Sequence, residues 1–222
     1  MTQQGGPVLV TGATGNTGRA VVDALVRRGA PVRAMVRAEA DRGKLPAGVP
    51  LAVADGAYLV VLSQLAADEH SPVRFLRYHG AVERHVRDLG IGHTFLRPNL
   101  FFQGLLALDI AEVAAITLTG AGHEGAAYTL TGPASITHAQ IAAALTAALG
   151  RDVTFTDVPP GAFADSLAGI LPPWQVQGLL EDYAHYRRGE AASVSPAVAE
   201  ITGRPPRDIR QFARDYATAF TG

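Results

Sequence analysis

The sequence predicts an α/β fold: a parallel sheet flanked by helices, with a smaller mixed lobe formed by the C-terminal third. Three observations carry this. Pro7 to Val10 is a short apolar run that meets Gly12. Arg19 to Arg28 places Val21, Val22, Leu25 and Val26 at helical spacing. After Gly29, a helix stop, Pro31 to Arg37 returns as a second strand. Strand, glycine turn, helix and strand within about thirty residues make one βαβ unit.

The following elements extend the pattern. Val49 to Ala54 and Tyr58 to Ser63 are β-rich runs, and Pro72 to Leu89 is helical, with Phe75, Val82, Val86 and Leu89 on one side and an Arg/Glu-rich opposite face. His93 to Leu96 is a strand ending at Arg97-Pro98-Asn99. Ala107 to Thr119 is an apolar helix, Ala127 to Thr131 a strand, and Thr137 to Leu149 an Ala-rich helix closed by Gly150. Val153 to Val158 reads as a strand. Helices follow at Phe163 to Ile170, Trp174 to Arg188, Pro196 to Thr202 and Ile209 to Phe220, punctuated by Pro172-Pro173 and Pro205-Pro206. The short link between the runs at 49–54 and 58–63 is a physical problem. Parallel neighbours need a crossover of a dozen or more residues, whereas Asp55-Gly56 suits a two-residue antiparallel hairpin. Either a hairpin forms there or residues that normally separate these strands are absent.

Composition narrows the function classes. With 222 residues, 48% hydrophobic, 18% charged and a net charge of −1, the chain is neither disordered nor basic enough for a polyanion partner, so no nucleic acid is expected. No cysteine is present, which excludes disulfides, thiolate metal sites and a Cys nucleophile. The N-terminus lacks a basic-then-apolar leader and no apolar run approaches bilayer length, so a cytoplasmic protein without a membrane association is expected.

The chemistry-bearing motif is Gly12-Ala13-Thr14-Gly15-Asn16-Thr17-Gly18. Gly12 makes the tight turn, Gly15 lets the backbone approach a pyrophosphate, and Gly18 lets the helix pack on the strand, while the helix N-terminus favours the phosphates. This is a Rossmann-type dinucleotide site. Arg37, at the end of the second strand, would accept a ribose 2′-phosphate and favours NADP(H); Glu39 and Asp41 lie slightly later and keep NAD open. His79 and Glu83 share a helix face but have no evident third ligand, so no metal site is expected. Leu62-Ser63-Gln64 lacks the elbow of a serine hydrolase.

The sequence resembles the atypical short-chain dehydrogenase/reductases, specifically the NmrA-like NAD(P)-binding family and its quinone-reductase-like branch. The residues responsible are Thr11 to Gly18, Leu62-Ser63, Tyr78-His79 with Glu83, Phe95-Leu96-Arg97-Pro98-Asn99, Tyr128 to Pro133 and Thr202 to Pro206. The resemblance implies a nucleotide-binding core over 1–118 and a substrate-side lobe over 119–222. It also implies segments missing at 56/57 and near 108/109. It implies hydride transfer from NADPH to a small flat acceptor such as a quinone, or a non-catalytic NADP(H) sensor that binds a protein partner. Classical relatives activate a Tyr through a Lys four residues on; here Val82 follows Tyr78 at that spacing. Ser63, Tyr78 and His79 are the catalytic candidates. Ser63, Pro98 and Asn99 join Gly12 to Gly18 and Arg37 as cofactor contacts; Ser63, His79, Pro98, Asn99, Leu100 and Phe101 are candidate pocket residues, with Phe102 and Trp174 as walls.

Overall fold

The computed structural model describes residues 8–13, 15–34, 58–90, 92–99 and 107–220. The chain opens with β1 (Val8–Val10), α1 (Asn16–Arg27) and β2 (Val32–Ala34), and β1 and β2 pair in parallel with Val8 beside Val32. A second parallel sheet has the order β3-β4-β5, from β3 (Tyr58–Leu62), β4 (Gly92–Pro98) and β5 (Ala127–Leu130), with Tyr58 beside Gly92 and Phe95 beside Ala127. Among the described residues no strand ladder joins the two sheets. β3 therefore takes a parallel partner; the run at 49–54 and the 56/57 junction lie outside the described residues.

One core serves both sheets. Val10 and Ala34 share a buried cluster with Leu96 and Leu130, filled in by Val22 and Leu25 of α1. The centre of that cluster is α3 (Ala107–Thr119), buried nearly all round, as its apolar sequence dictates. α3 is continuous across Leu108 and Asp109. Arg27 and Arg28 bond Glu112 at 2.9 and 3.2 Å, clamping α1 to α3. Val26, grouped with the apolar stripe by its spacing, is 44% exposed beyond the contact.

Helix α2 (Arg74–Asp88) buries Leu76, Gly80, Glu83 and Val86. Its inward face is therefore rotated from the one its apolar pattern suggests: Val82 and Leu89 are exposed, and a carboxylate points inward. The reason is a set of partners supplied by β3 and β4, described below. α4 (His138–Leu149) starts with a capping box between Thr137 and Gln140 and stops at Gly150, whose φ of +64° suits glycine. Residues 153–158 form no strand, contrary to their β-rich composition. The Thr146 hydroxyl accepts the Val153 N–H at 2.9 Å and donates to its carbonyl at 3.2 Å, so the segment is tied to the end of α4 with no neighbouring strand to pair with.

The rest is helical: α5 (Pro160–Ser166), α6 (Pro173–Arg187), α7 (Ala197–Thr202) and α8 (Ile209–Asp215), then a 3₁₀ turn at Ala217–Phe220. The expected continuous helix from Ile209 to Phe220 thus breaks after Asp215. Beyond β5, which pairs with β4, the named elements of the described residues are helices. α6 packs on α2 closely enough that a Cβ at Gly178 would overlap the Phe75 ring. No helix among the described residues is long and apolar enough to cross a membrane.

Candidate functional site

The glycine loop has the geometry its sequence requires. Gly12 turns the chain at φ +63°, where an L side chain is disfavoured, and the Gly15 N–H donates to the Gly12 carbonyl at 2.9 Å. A Cβ at Gly18 would overlap that same carbonyl, so only glycine lets α1 press onto the turn. Ala13 is fully buried beneath it. Gly15 occupies the N-cap of α1 and no side chain caps the helix there, which leaves its end, with Asn16 and Thr17 in the first turn, suited to an anion. Thr14 and Arg37 lie outside the described residues.

The second part of the site is the carboxyl edge of β3 and β4. Beyond its last strand residue β3 keeps bonding β4: the Ser63 N–H reaches the Leu96 carbonyl and the Leu65 N–H the Pro98 carbonyl, both at 2.8 Å. A turn follows in which Ala66 takes φ +61°. This ladder carries Ser63 and Gln64 to the place where open α/β sheets bind their ligands.

Ser63 is buried, and its hydroxyl donates to Glu83 Oε1 at 2.6 Å. Glu83, itself 1% exposed, also accepts from Arg97 Nε at 2.8 Å, pairs with the Arg97 Nη2, and receives Arg87 at 2.9 Å. Burial pushes the Glu83 carboxyl up, but the Arg97 and Ser63 hydrogen bonds and the two guanidinium charges outweigh it and hold the group below the usual carboxylate range. Arg87 continues the network over the Phe95 ring, 4.8 Å from its centre. The Ser63 proton is thus committed to Glu83.

Of the other sequence candidates, Pro98 is buried at the end of β4. Asn99 extends its Nδ2 to the Ala191 carbonyl at 2.7 Å, binding the sheet edge to the segment after α6. Thr131 and Ser195 form a parallel tie, the Ser195 N–H reaching the Thr131 hydroxyl at 3.0 Å. His79 is partly buried, and that burial lowers its pKa against the pull of Glu83, favouring the neutral ring. Tyr78 and Trp174 are each about half exposed, at 51% and 50%. Leu100, Phe101 and Phe102 lie outside the described residues. Among the described residues no cluster of three His, Asp or Glu is placed to hold a metal.

The structure adds residues that the sequence pattern concealed. Asp182 and His185 are both buried on α6, one turn apart, on the stripe begun by Gly178. The Gln64 amide donates to both carboxylate oxygens of Asp182, at 3.2 and 3.3 Å. Tyr186 also interacts with Gln64, and its hydroxyl pKa is raised, chiefly by burial. The available signal was the spacing 178, 182, 185: a helix stripe facing inward with polar residues where apolar ones are usual.

No protein-family model matches the chain. It is 32% identical to the (4-alkanoyl-5-oxo-2,5-dihydrofuran-3-yl)methyl phosphate reductase of Streptomyces griseus, over 96% of this chain and 99% of that protein. It is 29% identical to an NAD(P)H azoreductase of Xenophilus azovorans, again over 96% and 99%. The first alignment spans 279 positions against 222 residues here, so stretches of that relative have no counterpart in this chain. Among solved structures, an NADPH-dependent quinone oxidoreductase from Escherichia coli superposes with a TM-score of 0.82 at 23% identity, covering 96% of this chain and 100% of the other. The triphenylmethane reductase of a Citrobacter species, in complex with NADP(H), does so at 0.78 and 20%, covering 95% and 99%. Both structures share the fold.

Proposed function

Since the chain belongs to the atypical short-chain dehydrogenase/reductases, in the NmrA-like family with the quinone-reductase-like enzymes, we propose that it is an NADPH-dependent reductase that delivers hydride to a small, flat, electron-poor acceptor. The observation that carries this reading is the cradle at Gly12 and Gly18, which a Cβ at either position would strain or fill. The residues fit the nucleotide. Backbone N–H groups from Gly12 to Gly18 would hold the pyrophosphate, and Arg37 would take the 2′-phosphate that distinguishes NADP from NAD. When bound, the reduced nicotinamide supplies the hydride.

The chain's own residues then bind, orient and keep water away. Ser63, Pro98 and Asn99 would form the edge on which the nicotinamide half rests, and bonds from Asn99 and Thr131 tie the 191–195 segment to the ends of β4 and β5. With its hydroxyl donating a hydrogen bond to Glu83, Ser63 acts as a positioning residue. Tyr78 stands exposed with Val82, not lysine, four residues on, which supports hydride delivery without a Tyr/Lys acid. His79 would line the entrance as a neutral ring. The curated relatives are named for a dihydrofuranone phosphate and for azo compounds, and a structural neighbour for quinones. These substrates share a polarised conjugated π system, which is the acceptor class proposed here. A cytoplasmic setting, with no nucleic-acid or membrane partner, accompanies this reading.

The test is NADPH consumption with a panel of quinones, azo compounds and unsaturated lactones, alongside affinities for NADPH and NADP⁺. Turnover supports the reductase. Tight binding without turnover of any acceptor would replace it with the NADP(H) sensor, for which a protein partner would then be sought.

A further inference from the structure

The inward face of α6 is chemically unusual. A helix laid on a protein core normally buries an apolar stripe, yet this one buries Gly178, Asp182 and His185. Placing a carboxylate there is costly unless it has partners. Glu83 on the neighbouring helix meets that condition with two arginines. Asp182 does not: it is 4% exposed, and its hydrogen-bond donor is the neutral amide of Gln64. Among the described residues no Lys or Arg pairs with it. On its own helix Glu181 faces it with like charge, and His185 and Tyr186 stand beside it. On α2, Arg74 is occupied by Glu181 and by the Trp174 carbonyl.

Gln64 directly follows Ser63, so the amide that holds Asp182 belongs to the same stretch beyond β3 as the sheet edge proposed for the nicotinamide and acceptor. His185 lies one turn along the same face, close enough to act on Asp182 electrostatically, and its Nδ1 is 2.6 Å from Glu190 Oε2 on the half-exposed segment beyond the helix.

On this basis, and resting on the reductase reading, we propose that Asp182 is the proton donor that completes reduction of the acceptor, with Gln64 presenting it and His185 returning the proton from solvent. In the reaction the acceptor gains one bond from the hydride, and the electron pair displaced from its π system settles on its oxygen or nitrogen. The Asp182 O–H then breaks, its proton joins that atom, and its electrons remain on the carboxylate. The acceptor has gained two electrons and two hydrogens, NADPH has become NADP⁺, and water restores the Asp182 proton through His185. Burial raises the Asp182 pKa above its ordinary 3.8, with Gln64 and His185 opposing the shift, which keeps the proton available at higher pH than an exposed aspartate would. Tyr186 is the poorer donor because burial raises its already high pKa.

The experiment compares wild type with Asp182→Asn and Asp182→Glu, all confirmed to bind NADPH with unchanged affinity. Asp182→Asn should lower kcat with a quinone by about 100-fold, the low end of general-acid effects, with little change in KM for NADPH. Wild type should slow as pH rises; Asp182→Asn should abolish that decline, and Asp182→Glu should restore part of both. In the protein without nucleotide, the infrared carboxylic-acid band of wild type should be weakened in Asp182→Asn. If wild type turns over and Asp182→Asn keeps its rate within twofold and the same pH profile, the proton-donor role is wrong and the reductase reading stands. If wild type oxidises no NADPH with any acceptor, the reductase reading fails and this role falls with it, whatever the infrared band shows. If Asp182→Asn does not fold, His185→Gln provides the second test: it should slow repeated turnover while sparing the first, and equal slowing of both would overturn the relay.

Discussion

Two carboxylates are buried on helices that pack against each other, and their surroundings give them opposite characters. Glu83, on α2, is enclosed by Arg97, Arg87 and the Ser63 hydroxyl, which stabilise its charge. Asp182, on α6, meets the uncharged Gln64 amide, and burial disfavours its charge. Burial alone therefore does not tell what an acidic residue does; the charge of what faces it decides. Glu83 is a strut that ties β3, β4 and α2 together. Asp182 is placed to hold a proton and give it up.

The largest effect should come from removing the strut. Glu83→Ala leaves Arg97 and the Ser63 hydroxyl without their acceptor and opens a cavity, and should cost about 3 kcal/mol of stability. In a chain of this size that is a fall in Tm of roughly 6–12 °C, measurable by thermal unfolding. A loss below about 1 kcal/mol would show that the network is not structural.

A smaller effect distinguishes the pair by sign. Because the folded-state pKa of Glu83 is lowered, its contribution is present above the ordinary value of 4.5 and is lost as pH falls through the depressed folded value. The pKa of Asp182 is raised, so its contribution is full below the ordinary 3.8 and is lost as pH rises through the folded value. Asp182→Asn should therefore match wild type in acid and exceed its stability at neutral pH by up to about 1 kcal/mol, in urea titrations at several pH values. Lower stability at neutral pH would mean that the carboxylate is charged and paired after all. The smallest effect is expected at the exposed end of α1, where Arg27→Ala should change stability by less than about 0.5 kcal/mol, since Arg28 still reaches Glu112.

What could be read from the sequence follows the same division. The glycine loop was legible because its function lies in backbone geometry, and backbone geometry of that kind is spelled by glycine itself: Gly12 at positive φ, Gly18 against the Gly12 carbonyl. The polar network was not. Glu83 reads as part of a solvated Arg/Glu face, since nothing local reveals that Arg97, on a strand, will meet it inside. Gln64 and Asp182 lie 118 positions apart in the chain, and it is tertiary packing, not local pattern, that brings them together. The segment at 153–158 shows the same limit for structure. Its β-rich composition is real, but a strand needs an edge to pair with, and Thr146 holds it elsewhere. Arg37, expected to take the 2′-phosphate, lies outside the described residues.

The contrast between the two carboxylates can be measured without nucleotide or acceptor. Side-chain carboxyl carbon shifts, followed by NMR from acid to neutral pH and assigned with Glu83→Gln and Asp182→Asn, report each titration directly. Glu83 should titrate below its ordinary 4.5 and Asp182 above its ordinary 3.8, shifts of opposite sign. An Asp182 that titrates at or below 3.8, or a Glu83 at or above 4.5, would contradict the account.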